Sequence, residues 1–168
     1  MNCRQAGGKG MQGEKGLAHE APVPLVNGAM SSMAWLGLTK ADGSVSDGGY
    51  DFIVGKHHDD FKALNVFSFD NYDKLIPREQ KDILDALKSN TLTYDKIKKS
   101  DTLRLLPALG NKTQTGINIH GGTNSYTDSK GCFTIYGMDW GSNTPQKDYK
   151  KFIDRFKFNQ LGKLYLIR

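Results

Sequence analysis

The sequence predicts an α+β, β-rich domain, a small barrel or sandwich with a few inserted helices. Three observations lead there. Short apolar runs of strand type recur along the chain, and two alternate cleanly: Ile117-Asn118-Ile119 and Phe133-Thr134-Ile135-Tyr136. Nineteen glycines fall mostly in the gaps between such runs, where turns are needed. Helical periodicity is confined to a few segments. The length, 168 residues, suits one domain with a core of its own.

Along the chain, residues 1–28 read as a flexible Gly-rich leader, with little large apolar content and no period. Residues 29–168 read as a single domain. Residues 33–39 and 50–54 are strand candidates, and the Asp-Gly turn chemistry between them predicts a hairpin with a generous loop. Residues 61–69 are apolar without a clean period, a strand or an irregular core segment. A helix is expected from Pro77, whose missing N–H costs nothing in a first turn. Its apolar face would be Ile83, Leu84 and Leu87, and its end near Ser89 and Asn90. Residues 93–99 suit a second short helix, and residues 102–109 a bent apolar segment broken at Pro107. The two alternating runs predict strands, the first leading into His120 and the second following Cys132. Thr144 and Pro145 have the form of an N-cap and first-turn pair. Tyr149, Phe152, Ile153 and Phe156 then follow at i, i+3, i+4 and i+7, the clearest amphipathic helix in the chain. Gly162 is expected to end the connection to a closing strand over residues 163–168.

Lys and Arg number 23 against 18 Asp and Glu, a net charge of +5. This suits an anionic partner such as nucleic acid, a membrane surface or a cell-wall polymer without choosing among them. The lysines are spread out apart from Lys96, Lys98 and Lys99, so a solvated face accounts for them. No stretch is long and apolar enough to read as a membrane span. Two cysteines, Cys3 and Cys132, do not make a disulfide framework.

Cys132 and one of the four histidines, His120, lie on either side of a glycine-bounded polar loop. A thiol becomes a strong nucleophile as a thiolate, and a neighbouring imidazole can take its proton and return it to a leaving amine. Adjacent strands would bring the two residues together. Gly121 and Gly122 would let the chain leave the His120 strand at angles closed to other residues. Gly131 would let the backbone approach a substrate carbonyl, with the N–H groups of Gly131 and Cys132 facing a developing oxyanion. A small buried cysteine beside a satisfied core histidine is the competing reading, and the residues alone leave both open.

Two other groups draw the eye. Residues 56–60, Lys-His-His-Asp-Asp, gather imidazoles and carboxylates of the kind zinc takes, and with His120 and Cys132 they would complete a metal centre. Alternation along a strand lets at most two of those four side chains share a site. A solvated polar loop is the favoured reading there. Trp35, Tyr136 and Trp140 are candidates for a groove that takes glycan or peptide, Trp140 the best placed.

The run Ile-His-Gly-Gly at 119–122, followed by Ser-Lys-Gly-Cys-Phe-Thr-Ile at 129–135, resembles the signature of L,D-transpeptidase catalytic domains. The likeness is close over about twenty residues and architectural elsewhere. It implies a β-rich catalytic fold acting on peptidoglycan stem peptides without cofactor or metal. Cys132 would be the nucleophile and His120 the general base. Gly121 would orient the imidazole through its carbonyl, with Ser129 as the motif serine and Gly131 in the oxyanion turn. Lys130, Asn124 and Trp140 would contact substrate. The chain departs from the common family motif by having Lys130 where a histidine precedes Gly-Cys, and by a shorter loop. Those departures fit a diverged member: an L,D-carboxypeptidase, a D-amino-acid exchange enzyme or an antibacterial toxin. Residues 1–20 hold no apolar run of the signal-peptide type. Action in the periplasm or cell wall would then call for a secretion machine or phage lysis, and a toxin for an immunity protein; nucleic acid is not an expected partner. Two alternatives are a non-catalytic wall-binding or surface-binding domain on the same fold, and a metal-dependent hydrolase using His57, His58 and His120.

Overall fold

A computed structural model describes residues 2–5, 19–24, 30–35, 45–58, 60–108, 111–122, 132–139 and 141–166. The protein is α+β and strand-rich. The strands are β1 (Asn2–Gln5), β2 (His19–Pro24), β3 (Met30–Trp35), β4 (Gly48–His57), β5 (Phe61–Phe67), β6 (Leu106–Ala108), β7 (Lys112–Gln114), β8 (Asn118–Gly122), β9 (Phe133–Tyr136), β10 (Met138–Asp139), β11 (Thr144–Pro145) and β12 (Leu161–Leu166). The helices are α1 (Pro77–Lys88), α2 (Tyr94–Lys98), α3 (Asp101–Arg104) and α4 (Lys147–Ile153), with a 3-10 segment at Phe69–Lys74. Eight strands form one sheet in the order β12-β4-β5-β8-β9-β1-β3-β2. The sheet curls enough for its outer strands, β2 and β12, to approach one another.

β4 and β5 form the central hairpin. They pair antiparallel from Asp51 opposite Phe67 to His57 opposite Phe61. The turn between them falls on the His-His-Asp-Asp run. His58 takes a left-handed φ of 48°, and the Asp60 N–H donates to the His57 carbonyl at 3.0 Å. The hairpin expected between residues 33–39 and 50–54 does not form. β3 pairs with β1 and β2 instead, while β4 takes β5 and β12. A tight turn closes adjacent strands at less entropic cost than a long loop does. Within the leader, β1 pairs with β9 and β2 with β3. Unpaired N–H and C=O groups at a sheet edge take such additions readily.

Alternation along the strands sends two sets of side chains to opposite faces. Phe52, Val54, Leu64, Val66, Ile119, Phe133 and Ile135 enter the larger core with Tyr149, Phe152, Ile153 and Phe156. Ile53 and Phe67 face a second cluster with Ile83, Ala86, Tyr94, Ile97 and Leu103 of the helices. α1 starts at Pro77 and is capped at Ser89, as the sequence predicts, but it buries Ile83 and Ala86 while Leu84 and Leu87 stay 39% and 37% exposed. It lies on the outer side of its cluster, so only one row of side chains reaches inward.

Two local readings are overturned. Thr144 and Pro145 do not start a helix. They pair with Asp139 and Met138 as β11, and α4 begins at Lys147 behind Gln146. Gly137 makes this possible. Its φ is 123°, and a Cβ there would sit 2.1 Å from the Gln146 carbonyl oxygen. Gly162 does not end a connection but lies inside β12, directly opposite Phe52, whose ring occupies the space a side chain would need.

Candidate active site

Strand register builds the site. β8 and β9 run parallel, with Ile119 opposite Phe133 and His120 opposite Thr134. Cys132 immediately precedes β9 and so falls beside Asn118. Since Ile119 and Phe133 enter the larger core, alternation turns Asn118, His120 and Cys132 to the other face. The same parity, carried across β5, puts His57 on that face.

The side chains meet there. His120 is fully buried, and its Nδ1 lies 2.7 Å from the Gly121 carbonyl oxygen. That contact fixes the ring orientation and directs Nε2 away from it. His57 stacks on His120 with ring centroids 4.0 Å apart and 28° between planes. Phe61 lies 5.3 Å from the His57 ring, centroid to centroid. Cys132 is half-buried. Its Sγ accepts from the Asn118 backbone N–H at 3.4 Å and donates to the Gly116 carbonyl at 3.6 Å. One ligating atom each from His57, His120 and Cys132 lie within 4.8 Å of one another. A thiol and an imidazole are thus within reach of proton exchange after a small side-chain movement.

Tyr149 seals the site from the other face. Its hydroxyl donates to the Lys62 carbonyl, and burial pushes its ionisation well above the ordinary range. Its ring also explains Gly121, which lies within a strand and takes no left-handed φ. The expected backbone freedom is therefore not what this position uses. A Cβ there would stand 2.7 Å from the Tyr149 ring and 2.9 Å from Met138 Cβ. Gly121→Ala is expected to destabilise the fold by about 1–3 kcal/mol, read from denaturant unfolding, with partial recovery in a Tyr149→Leu background.

Burial, then the neighbouring His120 and His58 imidazoles, push the His57 imidazolium down to about 3 from its ordinary 6.5. The folded protein therefore holds His57 neutral where an unfolded chain would protonate it. Its stabilising effect is complete above 6.5 and is lost as pH falls from there toward 3. The slope approaches at most about 1.4 kcal/mol per pH unit and is reduced by residual solvent access. Thermal melts through that window are expected to fall less steeply for His57→Phe than for the parent.

Among the described residues of the His-His-Asp-Asp run, His57 is the one that reaches His120 and Cys132; Asp59 lies outside them. The exposed His58 turns outward, its ring edge-on to His57 at 4.1 Å. Asn124, Ser129, Lys130, Gly131 and Trp140 lie outside the described residues, as do the side chains of Trp35 and Tyr136. Asn118 and Gly116, which hold the thiol, were not singled out by the sequence. The signal for Asn118 was its position two residues before His120 in an alternating run. No family model matches the chain, and neither does any curated protein or solved structure.

Proposed function

We propose that the protein is a cysteine acyl-transfer enzyme acting on peptidoglycan stem peptides, in the manner of a divergent L,D-transpeptidase or L,D-carboxypeptidase. The observation that carries this reading is the placement of the Cys132 thiol beside the His120 imidazole, whose Nδ1 is held at the Gly121 carbonyl. His120 takes the Cys132 proton through Nε2, and the thiolate attacks the carbonyl of the diamino acid. The tetrahedral intermediate collapses with expulsion of the terminal D-residue, whose amine receives the proton from His120. The acyl-enzyme then passes to an amine or to water. Gly131 and Cys132 supply N–H groups to the oxyanion, and Lys130, Asn124 and Trp140 contact the stem peptide. Ser129 is the motif serine on this reading. The motif departures fit a diverged member, of which a cell-wall-targeting toxin is one form.

Intact-mass spectrometry of the protein with purified muropeptides tests this. An acyl adduct on Cys132, together with loss or exchange of the terminal D-residue, supports it. Folded protein that gives neither across several stem types sinks it, and retained binding of those peptides would favour a non-catalytic wall-binding domain.

A further inference from the structure

We infer that His57, His120 and Cys132 form a binding site for one thiophilic divalent cation of the zinc class. The inference stands apart from acyl transfer, because it concerns what the three side chains hold and not what they react with.

Two imidazoles and one thiol are a donor set that zinc takes, and they come from β4, β8 and the residue just before β9 onto one face of the sheet. Tetrahedral zinc with ordinary Zn–N and Zn–S bond lengths needs its ligand atoms about 3.3–3.6 Å apart. Here all three lie within 4.8 Å of one another. The difference is at most about 1.2–1.5 Å, to be closed by side-chain rotation. The two rings are stacked, with 28° between their planes, so binding one ion requires at least one of them to rotate until both in-plane lone pairs meet.

Two features mark the imidazoles as ligands and not as packing alone. His120 already has the outer contact that metal-binding histidines make: Nδ1 on a backbone carbonyl, which fixes the tautomer and presents Nε2. His57 is 7% exposed, and its Nδ1 is buried with no hydrogen-bond partner among the described residues. A buried polar atom left in that state is costly unless something binds it. The half-buried Cys132 gives the ion an entry and leaves a fourth position for water.

Binding is balanced by one proton. The Cys132 thiol loses H⁺ to solvent, and the thiolate donates its electron pair to the cation; nothing is oxidised or reduced. The bound ion then occupies the thiolate and the His120 lone pair together, so the metal-loaded protein is closed to chemistry at either group.

The test is titration of metal-stripped full-length chain with Co²⁺, followed by Zn²⁺. The expected result is a thiolate-to-cobalt charge-transfer band that saturates at one equivalent and is abolished by Zn²⁺. Cys132→Ser removes the band, and His57→Gln weakens zinc binding at least about 10-fold. Folded protein with no such band overturns the inference, as does a His57→Gln variant with unchanged affinity. Should His57→Gln fail to fold, Cys132 alkylation in the parent decides. Slowing by one equivalent of Zn²⁺ supports the site, and an unchanged rate overturns it. None of these readouts uses a peptide substrate, so inactivity toward muropeptides leaves the result intact.

Discussion

Cys132→Ala is expected to abolish both the acyl adduct and every trimmed or exchanged muropeptide, with the fold retained. The side chain is half-buried, and its partners are the Asn118 N–H and the Gly116 carbonyl, so truncation releases weak sulfur contacts and opens little space. A cost of about 1 kcal/mol covers such a loss. The chemical cost is total, because no other described side chain supplies a thiol at this place. His120→Gln separates the roles further. It removes the base but keeps a hydrogen-bonding side chain of comparable reach, so turnover should fall about 10²–10⁴-fold while slow acylation persists. Trimming that survives Cys132→Ala would end the acyl-transfer reading outright.

Phe52→Ala is expected to cost about 3–5 kcal/mol, measured by urea unfolding, a large share of the roughly 5–15 kcal/mol a domain has. Phe52 is fully buried in the middle of β4, edge-on to Phe156 with centroids 5.6 Å apart. Its ring also lies over Gly162, where a Cβ would meet it at 2.3 Å. The ring thus fills the place of the side chain that Gly162 lacks, as aromatic residues do across from strand glycines. This gives the prediction a second arm. Gly162→Ala alone should destabilise by about 1–3 kcal/mol through overpacking. In the Phe52→Ala background the same methyl enters vacant space, and its cost should vanish or reverse. Additive effects in the double variant would show that the two positions do not share that space.

Periodicity made much of the architecture legible. The alternation at Ile117–Ile119 and Phe133–Ile135 gave β8 and β9, and Pro77 and Ser89 bracketed α1, because these signals are local and no distant contact opposes them. The spacing of Tyr149, Phe152, Ile153 and Phe156 foretold their burial. Partner choice was not legible. Whether β4 pairs with β3 or β5 depends on competition among edges, which no window of sequence contains. Thr144-Pro145 has the same local form whether it opens a helix or pairs with Met138, and the unusual backbone of Gly137 decides between them. At the site, His120 and Cys132 stood out by residue type. His57 could be weighed as a metal partner, but its stacking on His120 follows from the register of three strands. Gly121 was noted for its carbonyl, which does meet His120 Nδ1, but the backbone freedom expected of it is not what the position uses, since its packing against Tyr149 is visible only in three dimensions.

The parallel pairing of β8 and β9 carries a consequence for how such a protein diversifies. The separation of Cys132 from His120 is set by Ile119 facing Phe133, not by the segment that joins the two strands. The length of residues 123–128 therefore does not set the spacing of His120 and Cys132. Under the acyl-transfer proposal, the spacing of nucleophile and base is then inherited with the ladder, and recognition can vary separately in the connector. An engineer who wants a new acceptor would randomise the connector and leave the ladder alone.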